Sequence, residues 1–196
     1  MNIGIGLIGL GGIAQKVHIP DLLNAGHLTI VAICDIDPEA LESTRSKLGL
    51  SADRCFEDYR DLIACNEVDA VVIATPNHLH VEMALEAVAA GKSYCVEKPL
   101  GLCARETAPL VKATQEAGVK SMVCFSYRYK AAARMAREMI LRGDIGKIHH
   151  ISMQYLQTWG NEEADCPLVW RFRKEYAGTG VLGDLGSHMV DFDTFL

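Results

Sequence analysis

The sequence predicts an α/β fold, a doubly wound parallel sheet followed by the start of a second domain. Strand-like and helix-like segments alternate through about two thirds of the 196 residues, and such alternation is typical of parallel sheets. Several strand-like segments are nearly continuous apolar runs, as in residues 28–34 (LTIVAIC) and 69–74 (DAVVIA). Runs of this kind are expected when helices cover both faces of the sheet.

Six strands and their connecting helices are predicted in order. The strands are expected at residues 2–8, 28–34, 54–56, 69–74, 92–97 and 120–125. The helices are expected at about residues 12–25, 37–48, 58–64, 78–90, 103–117 and 128–142. Asp37 and Pro38 suit the cap and first turn of the second helix, and Gly49 suits its end. A glycine also follows the first, fourth and fifth helices.

The pattern changes after the last of these strands. Residues 147–157 (KIHHISMQYLQ) alternate apolar and polar side chains, which favours a strand whose sheet faces solvent on one side. A glycine-rich turn at residues 178–183 and a helix-like end follow. We therefore predict a first domain over residues 1–125 and an incomplete second domain over residues 126–196.

Charge and composition argue against several kinds of partner. Nineteen Lys and Arg stand against 25 Asp and Glu, for a net charge of −6 with no basic stretch, so no nucleic-acid partner is expected. No apolar run approaches the roughly 20 residues of a membrane span, and no basic flank suggests a secretory signal. Seven cysteines without paired spacing predict reduced thiols. A cytoplasmic protein is expected.

A glycine-rich motif separates the first strand from the first helix. Residues 9–14 (GLGGIA) match the G-x-G-x-x-G/A fingerprint of Rossmann dinucleotide-binding domains. Gly9 allows the tight turn, Gly11 lets the backbone approach a pyrophosphate, and Ala14 lets the helix pack on the strand. The helix N-terminus offers its N–H groups to the phosphates. The predicted contacts are Gly9, Gly11, Gly12, Ile13 and Ala14.

An acidic residue at the end of the second strand predicts the cofactor. Asp35 follows Ala14 by 21 residues, close to the spacing expected of the carboxylate that binds the adenosine ribose hydroxyls. A 2′-phosphate would meet the charges of Asp35 and Asp37, and neither residue has an arginine among its immediate neighbours. NAD is therefore favoured over NADP.

Three further segments resemble the glucose-fructose oxidoreductase/inositol dehydrogenase family, often called Gfo/Idh/MocA. They are residues 75–80 (TPNHLH), residues 87–99 (AVAAGKSYCVEKP) and residues 178–188 (GTGVLGDLGSH). The resemblance implies an NAD-dependent oxidoreductase acting on a secondary alcohol of a sugar, cyclic polyol or related small molecule. It also implies an α+β second domain with a mostly antiparallel open-faced sheet, most of it beyond Leu196, which in a full-length homo-oligomer commonly forms the subunit interface.

The same resemblance assigns three catalytic residues. Lys98 is expected to hold the substrate hydroxyl near the nicotinamide, where an ammonium favours alkoxide character. His188 is expected to be the general acid/base, since an imidazole titrates near neutral pH. Asp184 precedes it by four residues, and we expect it to orient the ring or hold a second hydroxyl. The pair also has zinc-ligand spacing, but no third ligand is suggested, so no metal is expected.

Further contacts follow from the family pattern. Predicted cofactor contacts are Thr75, Pro76, Asn77, His80, Glu97 and Lys98. Predicted substrate contacts are Arg128, Trp170 and Arg171. Asn77 is expected to be a helix N-cap first and a cofactor contact second, and Tyr127 departs from the commoner family pattern.

Two other functions fit the same fold. Some relatives use bound NAD transiently while cleaving a glycoside, with no net oxidation. A non-catalytic dinucleotide sensor needs only the glycine loop and Asp35, so Lys98, Asp184 and His188 favour an enzyme. A further alternative concerns the isolated chain: with most of the second domain expected beyond Leu196, it would bind NAD and catalyse nothing.

Overall fold

The computed structural model describes residues 2–158, 160–161 and 165–196. The chain divides into two compact units, Met1–Val123 and Cys124–Leu196. No helix in these described ranges has the length and apolar character needed to cross a membrane.

The first unit contains a six-stranded parallel sheet in the order β3-β2-β1-β4-β5-β6. Its strands are β1 (Ile3–Ile8), β2 (Leu28–Cys34), β3 (Cys55–Phe56), β4 (Ala70–Ile73), β5 (Ser93–Val96) and β6 (Ser121–Val123). The chain winds outward from β1 to β3, returns to β4 beside β1, and winds outward again. The order reverses between β1 and β4, and ligands bind at such switch points outside the carboxyl ends of the strands. The predicted doubly wound parallel sheet is confirmed.

The helices of this unit follow the predicted order. They are α1 (Ile19–Asn24), α2 (Pro38–Leu48), α3 (Tyr59–Ala64), α4 (His80–Ala89) and α5 (Ala104–Ala117). A π-helical turn, Ala14–His18, precedes α1. Asp37 accepts a hydrogen bond from the Glu39 N–H at 3.0 Å, and Gly49 ends α2 at φ 68°, as predicted for the two caps.

Alternation along the strands buries both faces of the sheet. In β4, Val71 and Ile73 pack in one apolar cluster with α3, α4 and α5, whereas Val72 packs in another with Ile19 and β2 residues. Burial of both faces is why the sequence reads as continuous apolar runs. Cys34 is 3% exposed in the first cluster, and burial, with smaller effects from nearby carboxylates, raises the pKa of its thiol to about 12.

The second unit is built from helices and turns in the described residues. A 3-10 turn (Ser126–Tyr129) leads to α6 (Ala131–Leu141). A 3-10 turn (Trp170–Phe172), α7 (Lys174–Ala177), a π-helical turn (Leu182–Gly186) and α8 (Ser187–Phe195) follow. The helix predicted at residues 128–142 thus begins at Ala131.

The strand predicted at residues 147–157 is wrong: this segment has no regular secondary structure. The alternating pattern indicates which side chains would share a face, but a strand also needs a neighbour for its N–H and C=O groups. Among the described residues, no strand pairs with this segment. His149 and His150 in this segment are both exposed.

Candidate cofactor and catalytic site

Gly9 makes the turn after β1 possible. Its φ is +89°, in the region that side chains rarely adopt. A Cβ at this position would lie 2.8 Å from the carbonyl carbon and oxygen of Ala74. Its N–H donates to the Cys34 oxygen at 2.9 Å. Gly9 is therefore required by the packing of three strand ends.

Gly11 and Gly12 are glycines for a different reason. Both are exposed, and a Cβ at either one would meet no atom within 4 Å. This bare backbone lies at the start of the helical segment, where unpaired N–H groups favour an anion. Ala14 is completely buried against the core, whereas Ile13 is 36% exposed. The loop has the form that a pyrophosphate needs.

The Asp35 carboxylate lies beside this loop. One oxygen accepts from the Leu10 N–H at 2.6 Å, and the other accepts from the Asp37 N–H at 2.9 Å. Each oxygen keeps acceptor capacity, because a carboxylate offers about four lone-pair sites. The side chain is held in place by these bonds and can still accept hydroxyls, as the sequence predicts for the adenosine ribose.

The segment after β4 differs from the prediction at Asn77. Asn77 is 6% exposed and is the first residue of a 3-10 turn, Asn77–Leu79, whose cap position is Pro76. The expected N-cap role is therefore wrong, because the chain makes a tight turn before α4 begins. Thr75 and Pro76 are half-buried at the same sheet edge.

His80 does not have the exposure that a direct cofactor contact requires. Its side chain is completely buried, with Nδ1 2.8 Å from the Pro99 oxygen and Nε2 2.9 Å from the Thr75 oxygen. Burial, the largest effect, lowers the pKa of the ring below 6.5. The predicted contact is corrected to a positioning role: His80 joins the chain after β4 to the chain after β5.

Glu97 and Lys98 follow β5 directly, and the Lys98–Pro99 peptide bond is cis. Glu97 Oε1 lies 2.8 Å from His18 Nε2, and the two side chains are 14% and 13% exposed. Glu97 Oε2 accepts from the Lys98 N–H at 3.2 Å. The carboxylate thus fixes the backbone from which the Lys98 ammonium extends.

Sequence reasoning missed His18. It lies at the end of the π-helical turn that follows the glycine loop. Burial disfavours its charged ring, yet the hydrogen bond and charge of Glu97 raise the pKa of His18 above 6.5. Burial of Glu97 likewise opposes ionisation, but His18 and the Lys98 N–H hold its pKa below 4.5. The only signal in the sequence is spacing: His18 follows the buried Ala14 by four residues, and residues four apart in a helical segment lie on one face.

We expect His18→Ala to lower the free energy of unfolding by about 2 kcal/mol, since it leaves a buried carboxylate without its cation. The contribution of the pair is fully present between pH 4.5 and 6.5. It declines as pH rises through the raised pKa of His18 and as pH falls through the lowered pKa of Glu97. Urea unfolding of the wild type and His18→Ala at a series of pH values measures this contribution to stability.

The matched control is Lys112→Ala, which removes an exposed pair with Glu116 at 3.8 Å and should change stability by about 0.3 kcal/mol. An equal loss for His18→Ala and Lys112→Ala, or a loss independent of pH, would contradict the buried ion pair.

In the second unit, His188 and Asp184 lie at the start of the last helix. His188 is the second residue of α8 and is 8% exposed. Asp184 is half-buried in the preceding π-helical turn. Its negative charge is one of the causes that raise the pKa of Tyr155. The ring of Tyr155 lies 5.9 Å from that of His188, so both predicted catalytic residues of this unit lie near Tyr155.

Arg128 pairs with Asp191. Its Nε donates to the two Asp191 oxygens at 2.8 and 2.7 Å, and Asp191 is 9% exposed. This ion pair ties the turn Ser126–Tyr129 to α8. The Arg128 side chain is 38% exposed, and a guanidinium has five N–H donors, so this ion pair leaves donors for the predicted substrate contact.

A groove of about 680 Å³ lies on the second unit, with Asp184, Arg171, Lys174 and Thr179 among its lining residues. Trp170 is half-buried, and the Arg171 guanidinium lies 4.5 Å from the centre of its ring. Of the predicted substrate residues, Arg171 borders the groove together with Asp184. Carboxylate, cation and hydroxyl groups are suited to binding sugar hydroxyls.

Comparison with known proteins identifies relatives over the whole chain. Residues 3–125 match the profile described as "Oxidoreductase family, NAD-binding Rossmann fold", and residues 133–196 match the GFO/IDH/MocA C-terminal domain. The levoglucosan dehydrogenase of Pseudarthrobacter phenanthrenivorans is 34% identical over all of this chain and 51% of its own length. The glucose-6-phosphate 3-dehydrogenase of Bacillus subtilis is 28% identical over 98% of this chain and 53% of its own.

Solved structures of oxidoreductases are also similar to this chain. An oxidoreductase domain protein from Kribbella flavida superposes with a TM-score of 0.90 at 37% identity, covering 99% of this chain and 52% of that one. Levoglucosan dehydrogenase in complex with NADH superposes with a TM-score of 0.86 at 32% identity, covering 100% of this chain and 54% of that one. The chain therefore spans about half the length of the relatives it matches.

Proposed function

The chain belongs to the GFO/IDH/MocA family of oxidoreductases, and we propose that it is the NAD-binding and catalytic part of a sugar dehydrogenase. In this proposal the enzyme oxidises a secondary alcohol of a sugar or related polyol. The relatives named for levoglucosan and for glucose 6-phosphate support the substrate class. When bound, NAD supplies the nicotinamide that accepts the hydride.

The observation that carries the proposal is the bare backbone of Gly11 and Gly12 beside the Asp35 carboxylate. The open space around these glycines fits a pyrophosphate, and Asp35 offers acceptors for two ribose hydroxyls. Thr75 and Pro76 border the same sheet edge in the proposed site. Neutral hydroxyls suit Asp35, whereas a 2′-phosphate would meet its charge, so NAD is the proposed cofactor.

Lys98 is proposed to hold the reacting hydroxyl. A positive charge beside that oxygen stabilises the negative charge that develops as its proton leaves. The hydrogen bond from the Lys98 N–H to Glu97 holds the start of this side chain, and the His18 pair holds Glu97. Glu97 and His18 are thereby positioning residues for Lys98.

His188 is proposed to take the hydroxyl proton. A neutral imidazole can accept a proton during oxidation and return it during reduction. Asp184 and Arg171 border one groove, and we propose that they bind the neighbouring hydroxyls of the sugar, with Trp170 beside Arg171.

The direct test incubates the chain with NAD and levoglucosan, a methyl glucoside or glucose 6-phosphate, and follows both NADH and the oxidised sugar. We expect the two products to appear in equal amounts. Cleavage of the glucoside without NADH would indicate the redox-neutral relatives instead. NAD binding with no product from any of these sugars would favour a sensor, or a chain that turns over only together with the rest of the second domain.

Replacing Asp35 separates charge from hydrogen bonding in cofactor choice. We expect Asp35→Ala to weaken NAD binding about 100-fold, because two charge-assisted hydrogen bonds to the ribose are lost. Asp35→Asn keeps an acceptor but removes the charge, so the preference for NAD over NADP should fall more than NAD affinity. Fluorescence titration with both cofactors measures this, and an unchanged preference in both variants would remove Asp35 from the ribose role.

A further inference from the structure

Tyr127 and Tyr155 form an aromatic pair against His188 in the second unit. The Tyr127 ring is stacked on the imidazole, with 4.5 Å between centroids and 26° between planes. Tyr155 approaches the same imidazole edge-on at 5.9 Å and 71°. The two tyrosine hydroxyls are hydrogen-bonded to each other. Phe125 approaches the imidazole edge-on as well, at 5.9 Å and 82°. His188 therefore has the Tyr127 ring against its face and the Tyr155 and Phe125 rings near its edge.

Two further contacts fix this pair. Gln157 Nε2 donates to the Tyr155 hydroxyl at 2.7 Å. Next to Tyr127, Arg128 holds Asp191, three residues beyond His188 on α8, through both carboxylate oxygens. The turn Ser126–Tyr129 thus contacts α8 at two points that lie on the same face of the helix, and movement of the turn would move the His188 ring with it.

We propose that Tyr127 and Tyr155 are positioning residues that hold the His188 imidazole in one orientation for proton transfer. The inference rests on the proposed function, in which His188 is the acid/base. A stacked ring restricts tilt of the imidazole, and the hydroxyl pair restricts rotation of the stacked ring.

The chemistry of the hydroxyls favours holding over proton transfer. Burial, together with the Tyr127 hydrogen bond and the charges around it, raises the pKa of Tyr155 to about 12. Its hydroxyl stays protonated at the pH where an imidazole titrates.

The test compares Tyr127→Leu, which removes the ring, with Tyr127→Phe, which removes only the hydroxyl. The signals of the His188 ring protons in the NMR spectrum of the 196-residue chain are identified by their loss in His188→Gln. In the wild type they should be displaced by the ring current of Tyr127. Tyr127→Leu should remove this displacement, and Tyr127→Phe and Tyr155→Phe should keep most of it but broaden the signals.

Tyr129→Leu is the control, because Tyr129 is in the same turn and is 63% exposed. It should leave the His188 signals in place. In sugar oxidation, Tyr127→Leu should lower kcat about fivefold at unchanged KM for NAD. His188 signals that are the same in Tyr127→Leu and wild type, or that move equally in Tyr129→Leu, would overturn the inference.

The NMR comparison needs no turnover, so failure of the positioning role can be distinguished from failure of the proposed function. An unchanged rate in His188→Gln would overturn the acid/base role of His188, and with it the proposed positioning role of Tyr127 and Tyr155. Displaced His188 signals that depend on Tyr127 would still establish the stack itself.

Discussion

Replacing Gly11 by valine is expected to weaken NAD binding about 100-fold, the loss of two charge-assisted hydrogen bonds to phosphate. Nothing in the chain lies within 4 Å of the position that a Gly11 Cβ would take, so the fold has room for the side chain. The new methyl groups would occupy the space of the pyrophosphate. Calorimetry with NAD measures the loss, and the melting temperature should stay close to that of the wild type.

Gly9→Ala is the matched variant, and we expect it to lower stability, whereas Gly11→Val should lower only NAD binding. The positive φ of Gly9 and its 2.8 Å approach to the Ala74 carbonyl leave no place for a Cβ. We expect a loss of about 3 kcal/mol in the free energy of unfolding. If Gly11→Val unfolds the chain, or if it still binds NAD as the wild type does, the assignment of Gly11 to the pyrophosphate is contradicted.

His188→Asn is expected to lower kcat for sugar oxidation about 1000-fold, within the range for loss of a general acid/base. Asparagine keeps a polar side chain of smaller size but cannot take up a proton. The Kd for NAD should not change, because the predicted cofactor contacts lie in the first unit. Stopped assays of NADH formation, with calorimetry on the same sample, separate the two quantities.

His150→Asn provides the control, since His150 is exposed in the same unit and should be replaceable without effect. Loss of NAD binding together with turnover in His188→Asn would mean that His188 supports the structure instead of the reaction. A rate within about twofold of the wild type would remove it from proton transfer.

The sheet could be predicted because local and global preferences agree in it. The run Ala70–Ile73 is apolar on both sides, and both sides are buried in the structure. Asp37, Pro38 and Gly49 act within one helix, so their spacing alone indicates their roles.

Contacts between distant residues could not be predicted in the same way. Tyr127 and Tyr155 are separated by 28 residues, and Arg128 and Asp191 by 63. No periodicity in the sequence connects such pairs. The sequence also does not distinguish a motif residue that faces a ligand from one that faces the core, and His80 is of the second kind because both of its ring nitrogens lie against carbonyl oxygens.

The segment 147–157 shows a different reason for failure. Its period of two is the pattern of a half-buried strand. On the apolar side Met153 and Tyr155 are half-buried, whereas Ile151 is 40% exposed. Pairing depends on a neighbouring strand, which a local pattern does not report.

The central claim is that the glycine loop and Asp35 form a working NAD site. Calorimetric titration of the chain with NAD and with NADP tests it most directly. The account predicts one NAD site per chain, with NADP bound at least about 30-fold more weakly because its 2′-phosphate meets the Asp35 carboxylate. Equal binding of the two cofactors, or no binding of either by a chain that melts cooperatively, would contradict the account.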